Sequence, residues 1–125
     1  MMNSYSILCV DDEPTLLSTQ SAVLRHGGFN VYTAANLAEA RAILSEKQVD
    51  GVVLDASVCN AEGICMFEAL RKIQPRVTFV LHTGNPETLQ LECVQDKKTI
   101  AKPVPPNELA GRLKRILDAE RDKAG

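Results

Sequence analysis

Short apolar, β-branched runs alternate with segments of helical period from one end of the chain to the other, and this alternation restricts the fold more than any single residue does. Strands are expected at residues 5–10, 29–34, 51–54, 77–82 and 99–101. The third and fourth are apolar through most of their length, as strands covered on both faces are. Helices are expected at residues 14–26, 37–47, about 61–73, 86 to about 95, and 106–121. Pro14, Pro86 and Pro106 suit first helical turns, Asn36 and Asn85 suit N-caps, and Gly27-Gly28 suits the end of the first helix. In the last helix Leu109, Leu113, Ile116 and Leu117 form one apolar stripe opposite Arg112, Lys114, Arg115 and Asp118, which predicts that the helix lies on a sheet. The fold class that follows is α/β, a doubly wound five-stranded parallel sheet in a single domain over residues 1–125.

A chain of 125 residues, 45% hydrophobic and 24% charged, buries enough surface for one core without a disulfide or structural metal. Its formal charge of −2 argues against direct nucleic-acid binding. Apolar runs such as Val52-Val53-Leu54 are far shorter than the roughly 20 residues of a membrane span. The first residues, Met1-Met2-Asn3-Ser4-Tyr5, have neither the basic nor the long apolar part of a signal peptide, so the expected location is cytoplasmic. Cys9, Cys59, Cys65 and Cys93 have neither CxxC pairing nor zinc-site spacing, and buried free thiols are the expectation.

Doubly wound sheets gather functional groups at the carboxyl ends of their strands. Here the first strand runs into Asp11-Asp12-Glu13, the third into Asp55, the fourth into Thr83-Gly84 and the fifth into Lys102-Pro103. Carboxylates at about 4 Å repel by on the order of 4 kcal/mol per pair at an effective dielectric near 20. Either protonation or a hard divalent cation must offset that repulsion, and Mg²⁺ takes carboxylate and carbonyl oxygens together with water and phosphate. A carboxylate beside such a cation can attack phosphorus. Asp55 is the candidate nucleophile, with the Lys102 ammonium and the Thr83 hydroxyl as partners for phosphoryl oxygens.

Four segments, LCVDDEP at residues 8–14, VVLDAS at 52–57, VLHTGN at 80–85 and IAKPV at 100–104, together resemble the receiver domain of bacterial two-component response regulators, of the chemotaxis-regulator type. The resemblance spans nearly the whole chain and implies the flavodoxin-like strand order 2-1-3-4-5. It implies that Asp55 is the phosphoacceptor, that Asp12 binds Mg²⁺ (or Mn²⁺) directly and Asp11 through water, and that the Ser57 carbonyl completes the protein ligands together with Asp55. Thr83 and Lys102 match the switch hydroxyl and the phosphate-binding lysine. The implied partner is a histidine kinase or histidine phosphotransfer domain. The implied output is a conformational change on the face of the fourth helix, fifth strand and fifth helix, read by an effector domain or a second copy, with no external substrate and no membrane. Cys59 stands where the family has Pro, Glu62-Gly63 stands for its acidic-Gly pair, Thr99 replaces an aromatic residue, and the segment between Thr83 and Lys102 is short. The resemblance also implies that Ser57 and Asn85 border the path of attacking water and tune the acyl-phosphate lifetime.

Blander readings exist for each residue. Asp11 and Asp12 could cap the first helix. His26 suits the negative end of that helix, His82 suits packing within a strand, and the basic residues Arg112, Lys114, Arg115, Arg121 and Lys123 suit a solvated helix face. An aspartate-nucleophile phosphatase of the haloacid dehalogenase type would carry DxDx[TV] after the first strand, which this chain lacks. A degenerate receiver acting only as an interaction module is the remaining alternative, and the complete set of acids, Thr83 and Lys102 counts against it.

Overall fold

The computed structural model describes the backbone of residues 5–55, 66–83, 98–101 and 106–124, and the side chains of 5–54, 69–80 and 108–121. Five strands, β1 (Ser6–Val10), β2 (Asn30–Ala34), β3 (Gly51–Asp55), β4 (Thr78–Thr83) and β5 (Lys98–Ala101), form one parallel sheet in the order β2-β1-β3-β4-β5. This is the expected doubly wound order. The helices are α1 (Pro14–His26), α2 (Leu37–Glu46), α3 (Met66–Ile73) and α4 (Pro106–Ala124), the last being the C-terminal helix. The helix expected at 86–95 lies outside the described residues, as do Asn85, Pro86 and residues 61–65.

β1 shows why the chain must fold this way. Successive side chains of a strand point to opposite faces. Ile7 and Cys9 enter a core with Leu24 of α1 and Leu109, Leu113 and Leu117 of α4. Leu8 and Val10 enter the opposite core with Ala40 and Leu44 of α2 and Leu70 of α3. A strand with apolar residues at four successive positions, Ile7 to Val10, is therefore filled from both sides, and Ile7, Leu8 and Cys9 are all fully buried. The apolar stripe of α4 lies on the sheet as its spacing predicts.

Local chemistry sets the ends. Pro14 begins α1, and Asn36 caps α2 by accepting a hydrogen bond from the Glu39 N–H at 2.9 Å, while Glu39 Oε1 accepts from the Ala35 N–H at 2.8 Å. Two adjacent glycines end α1 for different reasons. Gly28 has φ 95°, a left-handed conformation that side chains disfavour. Gly27 has an ordinary φ of −78°, but a Cβ there would stand 2.9 Å from the Ala110 Cβ, so the position demands space. Among the described residues no helix is long and apolar enough to cross a membrane.

Candidate functional site

Strand register builds the rim. Val10 of β1 is opposite Leu54 of β3, Asp55 of β3 is opposite His82 of β4, and Thr83 of β4 is opposite Ala101 of β5. Asp11, the residue after β1, and Asp55, the last residue of β3, therefore leave the sheet at the same level on neighbouring strands. Thr83 ends the next strand along. Lys102, Ser57, Cys59 and Asn85 lie outside the described residues, and for Asp55, Thr83, His82 and Thr99 the description is of backbone.

Asp11 is 1% exposed. Its N–H donates to the Ala34 carbonyl at 3.1 Å, and its carboxylate Oδ1 accepts from the Glu13 N–H at 2.9 Å. These bonds hold a carboxylate at the edge of a dry core, where a charge is costly without compensation. Asp12 beside it is exposed. The capping reading of this pair does not hold: the N-cap of α1 is Glu13, with no side-chain cap bond, and Pro14 takes the first turn. One buried and one exposed carboxylate, with a third residue of the same kind on the adjacent strand end, make a hard oxygen donor set of the type that suits Mg²⁺. Among the described side chains no three metal-ligating groups converge, Asp55 being described as backbone. The fit of a cation is thus one of donor chemistry and strand-end adjacency.

Cys9 is buried and reduced, as expected, and burial pushes its thiol up to about 12, with Asp11 adding to the shift and Arg25 opposing it. It has no thiolate to offer. The other three cysteines lie outside the described residues. His26 is exposed at the end of α1, as its structural reading required. Arg112 is half-buried and Lys114 and Arg115 are exposed, consistent with a solvated face, but Arg121 is engaged: its guanidinium lies 5.8 Å from the centre of the Tyr5 ring.

Sequence reasoning missed the polar work at the opposite, amino edge of the sheet. Gln74 is buried; its Nε2 donates to the Leu44 carbonyl at 2.8 Å and the Lys47 carbonyl at 2.5 Å, and its Oε1 accepts from the Val49 N–H at 3.1 Å. It satisfies carbonyls that the end of α2 leaves over. Asp50 Oδ2 accepts from the Ser6 N–H at 2.8 Å, and the Tyr5 hydroxyl donates to Asp118 Oδ1 at 2.5 Å. No periodicity or motif signals such pairs. A hollow of about 560 Å³ opens there, between residues that include Tyr5, Gln74, Arg76, Thr78, Leu117 and Arg121, and none of the rim acids lines it.

The comparisons with known proteins identify the family and the fold. Residues 7–114 match the family model of the response regulator receiver domain. A putative NtrX-like response regulator of Rickettsia conorii is 36% identical over 86 residues, covering 67% of this chain and 18% of that protein. The aerobic respiration control protein ArcA of Escherichia coli is 31% identical over 120 residues, covering 93% of this chain and 50% of that protein. Among solved structures, a CheY-like response regulator receiver domain from Methanospirillum hungatei superposes with a TM-score of 0.82 at 25% identity, over 97% of this chain and 99% of that one. The chain spans half or less of the length of the curated relatives it matches, in several cases 18%. The chain belongs to the response regulator receiver family; it is a signalling domain of two-component systems and not an enzyme of the usual kind.

Proposed function

We propose that this receiver domain accepts a phosphoryl group on Asp55 from a phosphohistidine of a histidine kinase or histidine phosphotransfer domain. The carrying observation is that Asp11 and Asp55 leave neighbouring strands at one level, with Thr83 ending the next. In the transfer an Asp55 carboxylate oxygen forms a bond to phosphorus as the P–N bond to the donor histidine breaks. Water later attacks the acyl phosphate, releasing inorganic phosphate and restoring the carboxylate. Receiver domains of this family bind Mg²⁺ for phosphorylation; in this chain Asp11, Asp12, Asp55 and the Ser57 carbonyl are the residues that would hold it. Bound there, the cation supplies charge neutralisation between the attacking carboxylate and the phosphoryl oxygens. Thr83 donates a hydroxyl hydrogen to one phosphoryl oxygen and Lys102 an ammonium hydrogen to another.

Drawing Thr83 and Lys102 toward the phosphoryl group biases an equilibrium between two conformations, and a partner or effector domain reads the result. There is no external metabolite to turn over, and the setting is the cytoplasm, where the kinase's phosphohistidine is available. The test is the intact mass of the protein after incubation with a small acyl-phosphate donor, with Mg²⁺ and with chelator, for the native chain and Asp55→Asn. One Mg²⁺-dependent phosphoryl adduct, absent from Asp55→Asn, is expected. A folded native protein that takes up no phosphoryl group, from this donor or from a phosphohistidine protein, would favour the interaction module instead.

A further inference from the structure

The C-terminal helix α4 is fastened at two places along its length. Near its start, Ala110 meets the backbone of Gly27 so closely that a Cβ on Gly27 would stand 2.9 Å from the Ala110 Cβ. Near its end, Asp118 receives the Tyr5 hydroxyl at 2.5 Å on one oxygen and Lys114 Nζ at 3.0 Å on the other. The Tyr5 ring is itself held: it stacks on Phe29 with centroids 6.4 Å apart and carries the Arg121 guanidinium at 5.8 Å. Between the two fastenings Leu113 and Leu117 are buried in the core shared with Ile7, Cys9 and Val53. The two donors, Tyr5 first, hold the Asp118 carboxyl below the usual carboxylate range, so the bond persists through neutral pH.

We propose that α4 is an anchored strut: from Ala110 to Arg121 it stays fixed on the sheet and on α1, and any movement of α4 caused by phosphorylation is confined to its first turn, residues 106–109. The confinement rests on the phosphorylation of Asp55 proposed above; the anchor does not. The direction of the chain explains why. The helix starts after the carboxyl end of β5, on the side of the rim, and runs back to the amino edge where Tyr5 precedes β1. Asp118 is 12 residues beyond Pro106, about 18 Å along the axis at roughly 1.5 Å per residue. To shift the far end, the rim would have to break the Tyr5 bond, part the ring from Arg121 and lift Leu113 and Leu117 together. Moving the first turn breaks neither the Tyr5 bond nor the Arg121 contact and displaces only Leu109 from the shared core.

Amide hydrogen exchange resolved along α4 tests this, on the native chain, Tyr5→Phe and Asp118→Asn, each with and without Mg²⁺ and beryllofluoride as a stable phosphoryl mimic. Tyr5→Phe keeps the ring and removes only the hydroxyl, and thermal melting confirms that each variant folds. Without the mimic, residues 117–124 are expected to exchange at least tenfold faster in both variants than in the native protein, with 110–114 unchanged. With the mimic, exchange in the native protein is expected to change at residues 107–109, Pro106 having no amide hydrogen, and not at 117–124. Equal exchange of 117–124 in native and variant proteins overturns the anchor, and a mimic response at 117–124 in the native protein overturns the confinement. If Asp55 takes up no phosphoryl group, the confinement falls with the proposed function, while the first comparison still decides the anchor.

Discussion

The two edges of the sheet use polar residues in opposite ways. At the amino edge the polar side chains join segments far apart in sequence: Ser6 to Asp50, Tyr5 to Asp118, Gln74 to Leu44, Lys47 and Val49. At the carboxyl edge, among the described side chains, Asp11 Oδ1 accepts from the Glu13 N–H two residues along. Polar groups of the first kind hold the fold together, and buried ones are costly to leave unmet. Polar groups of the second kind contribute little to cohesion, and acids placed together there cost stability. A protein keeps such acids where they do something else, which is why the rim reads as the site although the hollow described above is at the other edge.

Substitutions at the two edges therefore separate chemistry from stability. Asp12→Asn, at the exposed rim, is expected to lower Mg²⁺-dependent phosphorylation on the order of 100-fold, at the upper end of what perturbing a metal site costs. Its melting temperature should stay within a degree or two of native. A variant that phosphorylates normally would break the comparison at its first step. Gln74→Ala should do the reverse: it strips partners from two carbonyls and an N–H, costing about 2 kcal/mol in denaturant unfolding. Its phosphorylation rate by intact mass should match native.

The pH dependence of stability sharpens the same contrast. Hydrogen bonding to Asp118, then burial, raises the Tyr5 phenol above its usual range, so the folded state holds that proton more tightly than the unfolded one. Its contribution is complete below about pH 10 and is lost as pH rises through the folded value. Asp118, lowered by Tyr5 and Lys114, contributes above about pH 4 and is lost as pH falls. Urea midpoints measured from pH 8 to 11 should therefore fall at the alkaline end, and less so in Tyr5→Phe; parallel curves would remove the amino-edge bond from the account. The smallest expected effect is at Gly111, exposed on α4 with nothing within 4 Å of a built Cβ. Gly111→Ala should add up to about 1 kcal/mol by helix propensity alone, read from the same denaturant midpoints, with phosphorylation unchanged.

What the sequence made legible divides along the same line. The strands stood out because a doubly covered strand is apolar at every position, and the candidate rim residues stood out because strand ends are where such a fold places them. Ends were off by a residue where a residue is apolar but outside the ladder. Phe29, expected in the second strand, precedes β2 and is buried by packing, with its N–H bonded to the Leu24 carbonyl at 3.1 Å. Thr83 and Asp55, expected just beyond their strands, are the last residues within them. Gln74 and the Tyr5 to Asp118 bond were invisible, since their partners lie 25 to 113 residues away and nothing local marks a glutamine as buried.

The contact between Gly27 and Ala110 also carries a consequence for how such a sequence can drift. Ala110 leaves no room for a Cβ at position 27, so residue 27 cannot enlarge alone without prising the first helix from the last. Inheritance must treat them as one character: a lineage that acquires Ala at 27 keeps its fold most readily if 110 has first become Gly, and the order of the two steps is set by geometry.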